Sequence, residues 1–273
     1  MAIPILRNIY PLNLQSINSN MLSSSPKSVA FIQYATTIAA ILGAYFVDFT
    51  IINCLILLIG YFLYCGIGVS LTYHRYYTHK SFEFRHPILK WVCTWFALMA
   101  GRGGVLGWVY IHRLHHRSTD TADDPHYSSL TLTKMWFPDY KQFINDVNLR
   151  IIKDLLNKTN TTIDKYYNLL ILFWAILLLS ISVDLFYFGW VVPVVLTHFS
   201  FNSFLYAGHK FGYRNHETRD QSTNCWPYAI LLFGEGWHNN HHKNPRQWNL
   251  RERWWEIDIM SVVIRLLKSK ESA

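Results

Sequence analysis

Three groups of closely spaced histidines are the residues in this sequence that could do chemistry. A single HxxHH string is weak evidence, since it is compatible with a surface accident or a lone zinc site. Three groups in a chain of 273 residues predict a metal centre built mainly from imidazole. The groups are His74 and His79 in HRYYTH, His112, His115 and His116 in HRLHH, and His238, His241 and His242 in HNNHH.

Helical spacing divides these histidines into two sets. Residues four apart lie on one helix face, so His112 and His116 can bind the same ion. His115 is about 100° from His116 around a helix and cannot easily join them. The same reasoning separates His241 from the other two histidines of HNNHH. We therefore predict two neighbouring metal ions that take alternate histidines.

The type and number of ligands narrow the choice of metal. Imidazole suits zinc, copper, iron and nickel, so ligand type alone does not decide. The histidines are too many for one tetrahedral zinc, and the four cysteines show no CxxC spacing that would indicate a zinc finger or a disulfide scaffold. A dinuclear iron centre that activates O2 is the strongest candidate.

A ninth candidate ligand, His209, follows the last apolar segment. His198, Asn202 and His209 share one face of that helix. A polar stripe in a membrane helix indicates a functional site. We predict that His209 is a metal ligand and that Asn202 lies beside the metals.

Carboxylates near the histidine groups are candidates to orient the rings. Asp120 and Asp124 follow the second group, and Glu235 precedes the third. Each could accept a hydrogen bond from a histidine N–H. Solvated loop carboxylates are the alternative. Three further histidines are assigned to loops or to solvent: His86, His126 and His216.

Four uncharged or nearly uncharged segments must position these residues. They cover 30–47 and 51–71, then 166–183 and 185–208. Each is close to the ~20 residues that a helix needs to cross a bilayer. Only 15% of the residues are charged, against about 25% in a typical soluble domain. We predict an all-α membrane protein with four transmembrane helices in two hairpins; four buried helices of a soluble protein are the alternative.

The positive charges predict the orientation of this protein. All 25 Lys and Arg residues lie in 1–29, 73–165 and 210–273. By the positive-inside rule, both termini and the central segment are cytoplasmic. The net charge of +8 is compatible with nucleic acid or an anionic membrane surface, and the apolar segments favour the membrane.

These assignments predict one membrane domain over 1–273, with its metal site in a histidine-rich cytosolic cap. The predicted parts are a cytosolic N-terminal segment 1–29, a first hairpin 30–71, a cap segment 72–165, a second hairpin 166–208 and a cap segment 209–273.

The mixed stretch 87–111 is predicted to be an amphipathic helix on the membrane surface. It contains Lys90 and Arg102 and is broken by Gly101, Gly103 and Gly104. A third spanning helix is the alternative, and it would place histidine groups on opposite sides of the bilayer.

The histidine strings and their surroundings resemble the membrane fatty acyl desaturases. SLTYHRYYTHKSF, HRLHHRSTDTADDPH and NCWPYAILLFGEGWHNNHH are similar to the Δ9-type branch, especially its cyanobacterial and plant members. The resemblance covers roughly residues 50–265 and implies four transmembrane helices under a cytosolic cap that holds two irons. It implies one iron with His74, His112, His116 and His241, and another with His79, His115, His209, His238 and His242.

Two departures from the family pattern concern water and the head group. Leu205 stands where the family has an Asn that holds water near one iron, and Asn202 is the candidate to replace it. Tyr110 and Ile111 stand where animal acyl-CoA desaturases have an Arg-Asp pair that contacts CoA. The resemblance therefore implies a glycerolipid acyl chain or an acyl carrier thioester more readily than acyl-CoA.

The predicted function is an O2-dependent acyl desaturase that introduces a cis double bond, at Δ9 by the resemblance, in the bacterial inner membrane or the endoplasmic reticulum. A membrane diiron hydroxylase or related oxygenase is the alternative. A non-catalytic metal-binding protein is a third, but a transporter would carry histidines within its membrane helices, where only His198 lies. The sequence has no flavin, nicotinamide or fused haem fingerprint, so we expect a separate electron donor such as cytochrome b5 or ferredoxin.

The resemblance also implies where the acyl chain ends. The closed end of the tunnel would lie at Phe62 and Gly66, twelve and eight residues before His74. These two share a helix face, and Phe62 would lie ~18 Å from His74. The alternative is that Phe62 faces lipid and Gly66 allows helices to pack. Trp108, four residues before His112, matches the family residue that bends the acyl chain.

Overall fold

A computed structural model describes residues 26–126 and 147–270, and the regular elements in these stretches are helices with three isolated β-bridges. The predicted all-α class is confirmed there. Residues 1–25 of the predicted segment 1–29, and residues 127–146 of the segment 72–165, lie outside the described residues.

The helices follow the predicted order of apolar and polar segments. They are α1 Pro26–Gly43, α2 Ile51–Tyr61 with a π-helical continuation Phe62–Thr78, α3 Pro87–Met99, α4 Val105–Ser118, α5 Lys158–Lys165, α6 Tyr167–Ile181, α7 Val183–Phe186 with a π-helical continuation Tyr187–Val191, α8 Val192–Ala207, α9 Trp226–Leu231, α10 His238–Lys243 and α11 Ile259–Leu267.

Two continuous helices in the described residues are long and apolar enough to cross a membrane. They are Ile51–Thr78 and Val183–Ala207. The pair α5 and α6, bent by 60°, would be a third crossing if it forms one span. The first predicted segment forms α1, which has 18 residues and begins with Pro26 and Lys27. Length and composition thus agree with a membrane protein.

Helix caps lie at the first predicted turn, 48–50, and two residues before the second, Asp184. The Thr50 hydroxyl accepts a hydrogen bond from the Asn53 N–H at 3.1 Å and begins α2. In the second pair, the Ser182 hydroxyl accepts from the Asp184 N–H at 3.2 Å and begins α7. Side-chain oxygens at these positions satisfy N–H groups that have no partner within the helix.

The helix Ile51–Thr78 is the centre of the fold. It packs against α3, α4, α8 and α11. Gly60 permits the close approach of the second long helix, because a Cβ there would lie 2.7 Å from the carbonyl oxygen of Gly189. The π-helical half ends at the first histidine group, as π-helical turns often do at functional sites.

The predicted break in the stretch 87–111 is present between α3 and α4. Gly101 and Gly103 adopt positive φ values of 73° and 96°, which glycine tolerates without strain. The Asp164 carboxylate accepts a hydrogen bond from the Leu106 N–H at 3.2 Å, at the N-terminus of α4, where negative charge is stabilised. This anchor fixes the start of the helix that carries the second histidine group.

Candidate metal centre

Four parts of the chain, each within or next to a helix, bring the nine predicted histidines together. The first group lies at the end of the helix Ile51–Thr78, the second at the end of α4, and the third in the short helix α10, while His209 lies just beyond α8. Seven of the nine side chains are buried, and His116 and His242 are half-buried.

The nine rings form two sets, and within each set the ligand nitrogens all lie within 4.8 Å of one another. The separation argued from helix faces is present: His115 lies in a different set from His112 and His116, and His241 lies in a different set from its two neighbours in HNNHH. The first set is His74, His79, His112, His116 and His241, and the second is His115, His209, His238 and His242.

His79 belongs to a different set from the one that the resemblance implies, which was the set of His115, His209, His238 and His242. It lies with His74 in the first set, and their ring centroids are 4.8 Å apart. Residues five apart differ by about 140° around an α-helix. Here the His79 N–H donates to the His74 carbonyl oxygen at 3.2 Å, which is the i→i+5 bond of a π-helix. The π-helical turn therefore brings both rings to the same side.

The spacing of the ring nitrogens fits bound metal ions. In the first set, the Nε2 atom of His241 lies 3.0 Å from that of His74 and 3.0 Å from that of His116. In the second set, the Nε2 atoms of His209 and His238 are 3.0 Å apart. Two imidazoles about 2.1 Å from one ion and about 90° apart would have this spacing.

Unpartnered nitrogens support the same conclusion. The Nε2 atoms of His79, His115 and His242 are buried and have no hydrogen-bond partner among the described residues. A buried polar atom without a partner is unfavourable unless a ligand satisfies it. The donor set therefore fits metal binding in both sets.

Four carboxylates hold the opposite nitrogen, Nδ1, of four of these histidines. This arrangement fixes ring orientation and leaves Nε2 for a metal. Three of the carboxylates are those singled out in the sequence, and the fourth, Asp220, was missed. The pairs are His74 with Glu235 at 2.5 Å, His115 with Asp124 at 2.9 Å, His209 with Asp120 at 3.1 Å, and His242 with Asp220 at 3.0 Å.

Glu235 is part of a larger buried network that sequence reasoning also missed. Its Oε1 atom lies 2.9 Å from Arg75 Nη2 and accepts a hydrogen bond from the Ser70 hydroxyl. Arg75 Nη1 lies 2.7 Å from Asp258 Oδ2. Because the guanidinium is 1% exposed and pairs with both carboxylates, it links the first histidine group to the segment before α11.

Burial and charge set the protonation of this site. Burial, then the repulsion of neighbouring histidines, lowers the pKa values of His112 and His116 well below the usual range. Burial also lowers the pKa of His242 to about 4, although Asp220 opposes this change. Burial opposes ionisation of Glu235, but His74 and Arg75 lower the pKa of this carboxyl to about 2. Neutral imidazoles beside charged carboxylates are the forms that bind a metal cation.

A cavity of about 80 Å³ lies beside the two sets. His74, His112 and His238 form part of its wall, and Trp108 stacks on His112 with ring centroids 5.1 Å apart. Most of the remaining wall is apolar, as an acyl chain would require. The apolar residues are Val29, Trp108, Ile111, Phe201, Phe204 and Leu205.

The two predicted tunnel-floor residues do not line this cavity. Phe62 packs edge-on against Phe233 with centroids 5.4 Å apart. A Cβ at Gly66 would lie 3.2 Å from both Phe233 and Met260. These contacts belong to the packing around α11, so the tunnel floor stays a prediction.

The histidines assigned to loops or solvent have different environments. The assignment of His126 to an ordinary loop was incomplete, because its side chain is buried and its ring packs 5.2 Å from that of His115. His86 caps α3 through its Nδ1 atom. His216 is half-buried and contacts the Glu252 carboxylate at 2.6 Å.

Comparison with known proteins identifies the family to which this chain belongs. A sequence model described as fatty acid desaturase matches residues 50–259. The chain belongs to the fatty acid desaturase family. The resemblance noted in the sequence is thereby confirmed, and the histidine sets agree with a metal-dependent enzyme of this family.

Curated desaturases from cyanobacteria are among the relatives of this chain. It is 35% identical over 227 residues to an sn-1 stearoyl-lipid 9-desaturase from Synechocystis sp., covering 74% of this chain and 64% of that protein. It is 34% identical over 230 residues to an sn-1 stearoyl-lipid 9-desaturase from Anabaena variabilis, with 77% and 79% covered. It is 32% identical over 244 residues to an sn-2 palmitoyl-lipid 9-desaturase from a Nostoc species, with 84% and 82% covered. The chain thus spans just under two thirds of the Synechocystis relative.

The structure shows the contacts of the residues at the two departures from the family pattern. Leu205 lines the cavity. The Asn202 side-chain oxygen accepts a hydrogen bond from Arg102 at 3.0 Å. Tyr110 is buried against the segment after residue 146, and Ile111 lines the cavity. The wall is therefore apolar at the position where a charged residue would contact CoA.

Proposed function

We propose that this protein is an O2-dependent acyl desaturase whose nine histidines hold two irons and which introduces a cis double bond at position 9 of a saturated chain. The observation that carries the proposal is the convergence of two imidazole sets beside one apolar cavity. Two irons bound there would supply the oxidising chemistry for removing hydrogen from adjacent methylenes.

The residues around the site have distinct tasks in this reaction. Glu235, Asp124, Asp120 and Asp220 hold histidine Nδ1 atoms, so that the Nε2 atoms stay directed at the metals. Trp108 lies against His112 and forms a rigid wall that can bend the chain next to the histidines. The apolar wall excludes water from the reacting carbons.

The substrate is proposed to be an acyl chain esterified in a glycerolipid. The three relatives described above are named for stearoyl-lipid or palmitoyl-lipid desaturation at position 9. Tyr110 and Ile111 supply no charge for a CoA head group. We expect purified protein with its electron donor to desaturate phospholipid-bound stearate and to turn over stearoyl-CoA poorly. Efficient turnover of stearoyl-CoA would contradict this choice of head group.

The proposed membrane arrangement has four spans in two hairpins, with both termini and the metal site in the cytoplasm. Two long apolar helices, the bent pair α5 and α6, and the position of α1 beside α8 support it. The absence of Lys and Arg from the two short turns supports the orientation. Electrons would come from a separate carrier, cytochrome b5 or a ferredoxin, docking on the cytoplasmic side.

Expression in a host that lacks the product tests the reaction. Fatty acid methyl esters from expressing cells should gain a cis-monoene, palmitoleate or oleate, and cells with the vector alone should not. A hydroxy fatty acid as the only new product would instead establish the alternative oxygenase. Absence of any new product in the presence of a compatible electron donor would overturn both.

A further inference from the structure

The helix α11 has apolar side chains on two sides. On its inner side, Met260 and Ile264 are fully buried, and the helix packs against Ile51–Thr78. On its outer side, Val262 and Leu266 are 62% and 63% exposed. Residues four apart lie on one face of a helix, so these two form an apolar stripe. The described residues leave this second stripe exposed.

The segment before α11 continues this exposed apolar surface. Trp254 is 80% exposed, and Trp255 and Ile257 are exposed as well. The guanidinium carbon of Arg253 lies 5.3 Å from the centroid of the Trp255 ring. Tryptophan beside arginine is typical of segments at a membrane–water interface, because the indole ring is apolar and its N–H is polar.

The contacts of α11 place it near the point where the helix Ile51–Thr78 leaves the lipid. Leu58 and Ile59 are exposed on this helix, whereas residues 64–75 are all buried. A Cβ at Gly66 would lie 3.2 Å from Met260 of α11. Residues 59 and 66 are about two helical turns apart. Because the exposed apolar part of this membrane-crossing helix ends just before it meets α11, the outer stripe of α11 lies at the edge of the lipid.

The end of α11 is joined to the segment that begins α3. The Arg85 N–H donates to the Leu267 carbonyl oxygen at 2.9 Å, and the Ser269 N–H donates to the Glu83 carbonyl oxygen at 2.7 Å. α3 lies in the stretch that the sequence predicts to be on the membrane surface, and it also has exposed apolar side chains. These are Ile88, Trp91 and Val92. Two neighbouring helices thus leave apolar side chains exposed at this level.

Basic side chains flank the apolar surface of α11. Residues 251–270 contain three carboxylates, of which Glu256 and Asp258 are buried and bonded inside the protein. The same residues contain five cations, which are Arg251, Arg253, Arg265, Lys268 and Lys270. Lysine and arginine near a membrane surface are attracted to anionic lipid head groups, and their long stems let the charge reach the water. The charge around α11 therefore favours a bilayer surface as its partner.

We propose that α11 and the segment Trp254–Ile257 lie in the head-group region of the bilayer, with Val262 and Leu266 directed toward the acyl chains. The sequence analysis placed all of 209–273 in the cytosolic cap, so this inference moves part of that segment onto the membrane. An amphipathic helix binds in the plane of the interface without crossing it. The inference rests on the proposed membrane arrangement only in placing the helix Ile51–Thr78 across the bilayer.

This membrane contact would lie next to the network that holds the first histidine group. The Asp258 carboxylate accepts a hydrogen bond from the Ser261 N–H at 3.0 Å and so begins α11. Its other oxygen lies 2.7 Å from Arg75, which also pairs with Glu235, the carboxylate that holds His74. α11 therefore connects the proposed membrane surface to the metal centre through two buried ion pairs.

Electron paramagnetic resonance of spin-labelled protein in a bilayer tests this placement. Cys54→Ala removes the exposed native cysteine, and the other three are buried. In this background, Val262→Cys and Leu266→Cys each carry a nitroxide, in nanodiscs of phosphatidylcholine with phosphatidylglycerol. Apolar oxygen concentrates among acyl chains, whereas a nickel chelate stays in water. The ratio of oxygen to nickel accessibility at both sites should be several times that at a water-exposed site. Trp254→Cys lies outside the helix and supplies the same measurement if a label in α11 prevents folding.

Two further labels calibrate the ratio. Glu217→Cys, exposed in the polar segment between α8 and α9, reports water, and Ile176→Cys, exposed on α6, reports lipid. Ratios at Val262→Cys and Leu266→Cys as low as that at Glu217→Cys would overturn the inference. Exclusion of both reagents, with spin–spin broadening that disappears on dilution with unlabelled protein, would show a second copy on this face and would also overturn it. Failure of the membrane arrangement itself would appear separately, as a low ratio at Ile176→Cys.

Discussion

The carboxylate of Glu235 lies 2.5 Å from the Nδ1 atom of His74, and its other oxygen lies 2.9 Å from Arg75. Residues 74 and 75 are adjacent in the chain, so one carboxylate fixes both a predicted metal ligand and the cation beside it. The side chain of Glu235 is 3% exposed. Its position in the string GEGWHNNHH places it three residues before the third histidine group. This single side chain therefore connects the first and third groups.

Replacing Glu235 with Gln should weaken metal binding. The amide keeps the size of the side chain but loses the charge that orients His74 and pairs with Arg75. Loss of a carboxylate behind a histidine ligand typically lowers metal affinity about 10- to 100-fold. Iron per chain, measured by mass spectrometry after dialysis against a chelator, should fall well below the wild-type value. Glu252→Gln, which alters a carboxylate that pairs with His216, a histidine of neither set, should retain the wild-type iron content.

Alanine at one histidine from either set should abolish desaturation. His112→Ala and His241→Ala remove ligands from the first set, and His115→Ala and His238→Ala remove them from the second. Monoene production should fall to background in all four, while the protein remains in carbonate-washed membranes. His216→Ala is the matched control and should keep its activity. Full activity in any of the four would remove that residue from the ligand set.

The histidine sets and their alternation could be predicted because they depend on local spacing. The i, i+4 relation of His112 and His116 is set by the geometry of α4 alone, and the break at Gly101 and Gly103 follows from their conformational freedom. The apolar segments, and the breaks between them at 48–50 and at Asp184, were also visible in the sequence pattern, whereas the capping by Thr50 and Ser182 was seen only in the structure.

Other parts of the site depend on tertiary structure that the sequence pattern does not contain. Asp220 lies 22 residues before His242, in a polar segment that resembles any solvated loop. The partnership of Arg75 with Asp258 joins residues 183 positions apart. The set to which His79 belongs depends on a π-helical turn, which residue periodicity based on 3.6 residues per turn does not anticipate.

The ion pair around Asp154 should make stability depend on pH. Its carboxylate oxygens lie 2.6 Å from Arg113 and 2.7 Å from Lys80. Burial opposes ionisation, but these two cations lower the pKa of Asp154 to about 2. A depressed pKa contributes stability above the unfolded value of about 3.9, and that contribution is lost as the pH falls through about 2.

Asp154→Asn should therefore lower the midpoint of thermal unfolding at pH 7 by about 1–4 °C, the range for a partly exposed pair. The difference from wild type should shrink as the pH is lowered below about 4. Scanning fluorimetry in detergent over a pH series measures it. A difference that stays constant down to the lowest pH at which the protein folds would show that the ion pair is not its cause.

Chain-length preference tests the predicted tunnel floor. Phe62→Ala should admit longer acyl chains, and Gly66→Leu should shift products toward shorter chains, with the double-bond position unchanged. Leucine at Gly66 must displace Phe233 or Met260, both 3.2 Å from its Cβ position, so expression level is measured alongside. Phe173→Ala, on the exposed face of α6, is the control for loss of a phenyl ring. Product profiles of both variants that match wild type would refute the assignment.

Iron analysis of gently purified protein tests the central claim most directly. Two sets of imidazole nitrogens, separated by helix face, predict about two irons per chain. Variants that lose one set should retain less iron than wild type. A wild-type preparation that contains one tightly bound zinc and no recoverable iron would contradict the account.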